Sequence, residues 1–206
     1  MKVSLNEIKT IINKLSDIII ANEIPFCELD SAAGDGDFGM SVAKGFKEIK
    51  KQWNDIEGDD IYSFLKNCSM IITEHCGGAS GPIWGSAFRA AALSAKGKDG
   101  LNIDDIASMF EAAVSGIQKR GGAKLGDKTL LDALIPSTEA LRQAADQGLD
   151  YKAAFKNASA AATVGAENTK SITATKGRAS YVGERSLSYP DAGAMAVSVI
   201  LNEFIN

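Results

Sequence analysis

The chain has 206 residues, of which 45% are hydrophobic and 23% are charged, and this balance excludes a wholly disordered polypeptide. We expect one domain over residues 1–206, long enough to bury its own core. The net charge of −4 excludes the basic surface that is typical of nucleic-acid-binding proteins, whereas 20 glycines beside four prolines favour helices joined by glycine-rich loops.

The first predicted element is an amphipathic helix over residues 4–20. Its apolar residues recur every three or four positions, and Ser4 with Glu7 forms a capping-box pattern. The same reasoning predicts seven further helices, over residues 40–53, 60–76, 80–96, 103–120, 129–147, 151–168 and 191–205. Because no segment alternates apolar and polar residues as a half-buried strand does, the sequence predicts an all-α fold.

Signals for export or membrane insertion are missing from the sequence. Polar residues interrupt the apolar ones near the N-terminus, so neither a signal-peptide core nor a membrane span is predicted. The three cysteines, Cys27, Cys68 and Cys76, are odd in number and fit a reducing compartment. We therefore expect a cytoplasmic protein that has neither a membrane nor a nucleic acid as its partner.

The first glycine-rich loop, over residues 29–39, is rich in carboxylates. Asp30, Asp35 and Asp37 lie within eight residues and are separated by small residues that permit a tight backbone. Hard oxygen ligands grouped in this way suit Mg²⁺, although a simple turn with Asp37 as the cap of the next helix explains the pattern equally well. A calcium-binding EF-hand is excluded, because glycine and phenylalanine occupy positions where that loop needs oxygen ligands.

Three further glycine-rich loops lead into predicted helices. Residues 77–82 join two helices, and their amides either hold a phosphate or merely form a helix corner. Residues 121–129 place lysine and threonine where they contact a phosphate or cap a helix. Residues 170–185 carry a net charge of +3, whereas residues 28–37 carry −4, and the two segments suggest the phosphate and metal halves of one site.

Nucleophilic catalysis finds little support in the sequence. His75 is the one histidine of the chain, and its neighbour Cys76 projects about 100° away from it on a helix, which is unsuitable for a nucleophile–base pair. The spacing of cysteine and histidine also lacks a zinc-binding pattern. We therefore assign no catalytic nucleophile to this chain.

Five motifs occur in a fixed order along the chain: Gly34–Asp37, Gly77–Pro82, Gly126–Thr129, Lys176–Tyr181 and Gly183–Ser186. In order and spacing they resemble the L-subunit family of bacterial dihydroxyacetone kinases across nearly the whole chain. The resemblance implies a single-domain antiparallel barrel or bundle of eight helices, with the nucleotide site in the loops at one end.

The resemblance also implies that ADP or ATP binds together with two Mg²⁺ ions. The metal ligands of the family match Asp30, Asp35 and Asp37, and Arg178 would contact phosphate. The nucleotide site would be lined by Phe38, Gly39, Ser41, Ala79, Ser80, Gly121, Thr129, Leu130, Arg178, Asp191, Ala192 and Gly193. Phe38 stands where many relatives have histidine, and Ala192 where many have proline, but the three carboxylates are retained.

The activity that the resemblance implies is phosphoryl transfer to dihydroxyacetone, which a histidine of a separate K subunit holds covalently. In one version of the enzyme, ADP stays bound and is rephosphorylated by a phosphohistidine protein of the phosphotransferase system; in the other, ATP exchanges freely. The sequence leaves both versions open. It also leaves open another small ketose as the substrate, a regulatory binding module without phosphoryl transfer, and formation of a homodimer.

Overall fold

Nine α-helices make up most of residues 2–205, the part of the chain that the computed structural model describes. They are α1 (Leu5–Ala21), α2 (Glu23–Ser31), α3 (Phe38–Lys51), α4 (Ile61–His75), α5 (Ser80–Ser94), α6 (Ile103–Gly121), α7 (Leu131–Asp146), α8 (Tyr151–Asn168) and α9 (Ala192–Ile205). Two 3₁₀ segments, Thr169–Ser171 and Arg178–Ser186, lie between α8 and α9. Within residues 2–205, β-type pairing is limited to an isolated bridge between Val3 and Leu101, so the all-α prediction is confirmed.

Helix α2 is the α-helix that the hydrophobic periodicity did not predict. It has nine residues, and Phe26 is its one buried side chain, so it lacks an apolar stripe. Pro25 lies in its first turn, where an amide has no partner within the helix and the missing N–H costs nothing. The expectation of a loop over residues 29–39 is therefore wrong at both ends, because Asp30 belongs to the last turn of α2 and α3 already begins at Phe38.

Side-chain caps fix where two of the longer helices begin. Asp60 accepts a hydrogen bond from the Ser63 amide at 2.6 Å and so starts α4. Asn102 accepts one from the Asp105 amide at 2.8 Å and starts α6. Each cap satisfies an amide that has no partner within its helix, so the polar residues before these helices determine their starts. None of the helices in the described part of the chain is long and apolar enough to cross a lipid bilayer.

The contacts between residues divide the chain into two compact units. The first unit comprises the residues up to Ala21 together with Ser41–Gly122, and in it α4 packs on α5 and α5 packs on α6. The second unit comprises Asn22–Met40 together with the residues from Ala123 onward. In this unit α7 packs on α8, α8 packs on α9, and α2 contacts α9.

The packing of α7 against α8 depends on a close backbone approach at Gly165. Pro136 lies inside α7 and has no N–H, so the Asp132 carbonyl, four residues earlier, receives no amide from it. Gly165 lies against this carbonyl so closely that an added Cβ atom would stand 2.2 Å from the oxygen. The absence of a side chain at position 165 therefore lets the two helices approach each other.

We expect Gly165→Ala to lower the free energy of unfolding by about 1–3 kcal/mol, because the added methyl group forces α8 away from α7. The gain in helix propensity from alanine is smaller than this cost. Urea unfolding followed by circular dichroism measures the change. Val164→Ala is the matched control, since Val164 is 60% exposed on the same helix and its truncation should matter little. An unchanged or raised stability of the Gly165 variant would contradict the close approach.

Candidate functional site

Three carboxylates of the second unit meet where α2 ends and the next loop begins. One ligand oxygen from each of Asp30, Asp35 and Asp37 lies within 4.8 Å of the other two, with Asp30 part-buried and the other two exposed. Asp30 is supplied by the helix and the other two by the loop. Oxygens this close together can coordinate a common divalent cation, and a set of carboxylates fits Mg²⁺.

The glycines of this loop let the chain wrap closely around the Asp30 carboxylate. The Gly36 amide, in a residue with φ of 75°, donates a hydrogen bond to Asp30 Oδ2 at 2.9 Å. At Gly34 an added Cβ atom would lie 2.1 Å from Asp30 Oδ1. Burial raises the pKa of the Asp30 carboxyl, the Gly36 amide opposes the rise, and the charge of Asp35 adds to it. Such crowding of carboxylates is the situation that a bound cation relieves.

An arginine from the basic segment lies beside these carboxylates. Arg178 Nη1 is 3.0 Å from Asp35 Oδ2, and the arginine side chain is 66% exposed. Arg178 begins the second 3₁₀ segment, directly after Gly177 with its φ of 64°. The structure thus brings the acidic and basic segments together within the second unit. The exposed guanidinium retains N–H groups with which to bind a phosphate.

Asp191 organises the start of α9 on the same unit. Its Oδ2 accepts a hydrogen bond from the Ala194 amide at 2.8 Å, and its own amide donates to Thr169 Oγ1 at 2.8 Å. Burial raises the pKa of the Asp191 carboxyl to about 7, against the effect of the Ala194 amide. A Cβ atom added to Gly193 would lie 3.2 Å from the Leu130 Cβ atom, so these two predicted lining residues are neighbours.

The side chain of Asp132, which is 3% exposed, fixes the loop that precedes α7. Its two carboxylate oxygens accept hydrogen bonds from the amides of Gly126 and Thr129, each at 2.7 Å. The sequence predicted that a lysine of this loop contacts a phosphate or caps a helix, but Lys128 is 2% exposed and points inward. The two adjacent charges between Gly126 and Thr129 indicated a functional loop, but a sequence pattern does not show which of its side chains are buried.

Three more predicted lining residues begin α3 and α9. The Phe38 ring packs against the Phe26 ring, with 6.1 Å between their centroids, so it joins α2 to the start of α3. Gly39 is buried, and an added Cβ atom would lie 1.9 Å from the Glu23 carbonyl oxygen. Ala192 is the buried first residue of α9. These residues therefore support the site region through backbone placement and packing.

The remaining predicted lining residues belong to the first unit: Ser41, Ala79, Ser80 and Gly121. The Gly77 amide, in the loop before α5, donates a hydrogen bond to the Ser41 carbonyl at 2.9 Å. Ser80 begins α5, and Ile83 of that helix lies against Gly121 at the end of α6. Within this unit the four residues lie on contacting elements, and their assignment to a nucleotide stays a prediction.

The cysteine thiols of the first unit are poor nucleophiles. Burial raises the pKa of the Cys68 thiol to about 12 and that of the Cys76 thiol to about 11. Both side chains are buried, so neither is a reactive thiolate near neutral pH. His75 ends α4, next to Cys76.

Comparison with known proteins places the chain among kinase sequences. Residues 32–206 match the model of the DAK2 domain. A protein of Escherichia coli (strain K12), named the ADP-binding subunit DhaL of PEP-dependent dihydroxyacetone kinase, is 35% identical over 201 residues, which are 98% of this chain and 96% of that one. An L-erythrulose kinase of Pectobacterium atrosepticum is 32% identical over 193 residues, which are 93% of this chain and 33% of that one.

The fold is also that of part of a solved kinase. The crystal structure of the dihydroxyacetone kinase from C. freundii in complex with AMP-PNP and Mg²⁺ superposes with a TM-score of 0.76 at 22% identity. The match covers 100% of this chain and 34% of that one, so the chain spans about a third of the kinase's length. The predicted fold family is thereby confirmed, with nine α-helices in residues 2–205 where eight were expected.

Proposed function

The chain belongs to the DAK2 domain family, and from this we propose that it is the nucleotide-binding subunit of a dihydroxyacetone kinase. In this role it holds ADP or ATP together with Mg²⁺ and transfers a phosphoryl group to the ketone. The observation that carries the proposal is the group of three carboxylates with Arg178 beside it, because it combines ligands for a divalent cation with a donor for phosphate.

The residues of the second unit divide the work of binding and transfer. Asp30, Asp35 and Asp37 would hold two Mg²⁺ ions, which supply the positive charge that neutralises the phosphate oxygens. Arg178 adds a fixed positive charge and N–H donors where negative charge develops during transfer. Thr129, Leu130, Asp191, Ala192 and Gly193 would line the nucleoside end. No side chain of this chain forms a covalent bond to the phosphoryl group in this scheme.

The ketone is supplied by a partner in this proposal. The partner is a K subunit that holds dihydroxyacetone covalently, and the E. coli relative is itself named as a subunit. The name of this relative describes its kinase as PEP-dependent. This favours the version in which ADP stays bound and a phosphohistidine protein of the phosphotransferase system rephosphorylates it. A cytoplasmic location and formation of a homodimer stay predictions.

A second candidate substrate is another small ketose. The relative from Pectobacterium atrosepticum is named an L-erythrulose kinase, and its matched portion is 32% identical to this chain. Because the ketose would be held by the partner in the proposed scheme, a change of partner would change the substrate without changing the nucleotide site. Assays that offer both ketoses with the K-type partner distinguish the two.

We expect the purified protein to bind ADP or ATP much more tightly when Mg²⁺ is present, since the carboxylates and phosphates repel one another without a cation. Calorimetric titration of the nucleotide with and without Mg²⁺ measures this dependence. Mass spectrometry of the supernatant after denaturation identifies any nucleotide that co-purifies, and retained ADP favours the phosphotransferase-linked version. Absence of binding to either nucleotide would contradict the proposal. Binding without phosphoryl transfer from ATP or the phosphohistidine donor, in the presence of the partner, would indicate a regulatory module.

A further inference from the structure

Lys128 is a buried cation in the loop that leads into α7. It is 2% exposed, and its φ of 61° lies in the left-handed region, which lysine rarely adopts. Its Nζ atom donates hydrogen bonds to the carbonyl oxygens of Thr169, at 2.5 Å, and Tyr189, at 2.7 Å. One ammonium group therefore joins three chain segments: its own loop, the turn that follows α8, and the segment that precedes α9.

Asp132 and Asp191, two carboxylates of the proposed nucleoside end, attract this ammonium electrostatically. Burial lowers the pKa of Lys128, whereas the charges of Asp191 and Asp132 raise it and so favour the charged form. Asp132 holds the Gly126 and Thr129 amides, and Asp191 holds the Ala194 amide. The cation is thus coupled to both carboxylates that shape the proposed nucleoside end.

A buried ammonium is costly unless hydrogen bonds and opposite charges compensate it. Removing Lys128 would leave the Thr169 and Tyr189 carbonyls without this donor, and it would leave Asp132 and Asp191 without its positive charge. The left-handed backbone conformation at position 128 is itself unfavourable, and such strain persists only where surrounding contacts require it. Because Lys128 is almost wholly buried, its effect on a ligand is exerted through the segments that it joins.

We propose that Lys128 is a positioning residue, whose ammonium fastens the segments of Thr169 and Tyr189 to the loop of Thr129 and Leu130 and thereby sets the spacing of Leu130 and Gly193. The inference rests on the proposed function for the identity of the ligand, and it adds a residue that does not contact the nucleotide. Its specific consequence is that Lys128 matters for the nucleoside part of the ligand and little for the phosphate part.

The test is Lys128→Met, which keeps the approximate volume of the side chain and removes the charge. With Mg²⁺ present, we expect its dissociation constant for ADP to rise by about 10- to 100-fold, as for the loss of charged hydrogen bonds. The dissociation constant for inorganic pyrophosphate should stay near that of the unchanged protein. A merely structural defect would weaken both ligands together, so the two titrations separate positioning from instability.

Two control variants sharpen the comparison. Leu141→Ala removes a buried side chain of α7, nine residues beyond Asp132 and outside the segments that Lys128 joins, so it shows how ADP affinity responds to lost stability alone. Lys156→Met removes one exposed lysine of α8 and controls for net charge. Both should retain the ADP affinity of the unchanged protein at a temperature where all the variants are folded.

Equal ADP affinity of Lys128→Met and the unchanged protein would overturn the inference, and so would an equal loss for ADP and pyrophosphate. If the methionine variant does not fold, Lys128→Arg replaces it. Arginine keeps the charge but cannot place one compact ammonium between two carbonyls, so the same selective loss for ADP is expected. If the unchanged protein binds neither ligand, the proposed function fails instead.

Discussion

Replacing Asp35 by asparagine is expected to weaken Mg²⁺-dependent binding of ADP by more than about 100-fold. Loss of a residue that only orients a metal ligand lowers metal affinity by about 10- to 100-fold, and loss of a ligand itself should lower it further. Asparagine keeps the size of the side chain and removes its charge. The three carboxylates share a space only 4.8 Å across, so the loop offers few substitutes for a missing ligand oxygen. Calorimetric titration of ADP at fixed Mg²⁺ measures the change, and Mn²⁺ titration followed by electron paramagnetic resonance counts the ions bound.

The Asp35 variant also separates the metal from the arginine. Asp35 is the carboxylate that pairs with Arg178, so its loss leaves the guanidinium free to bind phosphate. Binding of ADP without Mg²⁺ should therefore stay the same or become stronger, while the Mg²⁺-dependent part is lost. Asp59→Asn, which neutralises an exposed carboxylate of the first unit, is the charge-matched control. It should change neither the binding of ADP without Mg²⁺ nor the Mg²⁺-dependent binding. An unaltered Mg²⁺ dependence in the Asp35 variant would rule out the metal assignment.

Replacing Arg178 by methionine is expected to slow phosphoryl transfer by about 100- to 1,000-fold, as for removal of one donor that stabilises developing negative charge. The guanidinium lies 3.0 Å from Asp35 and is 66% exposed, so it is held at the edge of the carboxylate group with donors to spare. Single-turnover transfer from bound nucleotide to dihydroxyacetone on a K subunit measures the rate. The affinity for ADP should fall less than the rate, because the donor matters most where charge develops.

Arg89→Met supplies the control for the arginine. Arg89 is exposed on α5 in the first unit and lies outside every segment that we assign to the site. Its replacement removes the same charge and should leave the transfer rate unchanged. Equal rates for the Arg178 variant and the unchanged protein would show that the ion pair with Asp35 is only a surface contact, of the kind that contributes little energy.

The sequence allowed the fold class and most helices to be predicted, because long amphipathic helices carry a strong three-to-four-residue period. Helix α2 was not predicted because a short helix with one buried side chain, Phe26, has no such period. Its position is set by contact with α9, which begins about 160 residues later in the chain. Local sequence therefore predicts the helices that stabilise themselves through a broad apolar face and misses those that depend on a distant partner.

The candidate metal ligands could be predicted because they are close in sequence, whereas the network behind them could not. Lys128 bonds to carbonyls 41 and 61 residues away, and main-chain carbonyls leave no mark in a sequence. A lysine in a glycine-rich loop is normally solvated, so the burial of Lys128 was not expected from the sequence. Phe38 is similar: its departure from histidine suggested a change in the site, and the structure shows its ring on Phe26.

The contact of α2 with α9 has a thermodynamic consequence for the second unit. Asp30, from the last turn of α2, belongs to the proposed metal end, and Asp191 caps α9 at the proposed nucleoside end. Any coupling between ligands that bind to the two helices is reciprocal. Whatever factor the cation contributes to nucleoside affinity, the nucleoside must contribute to cation affinity, so the nucleotide and its metal should be retained or lost together.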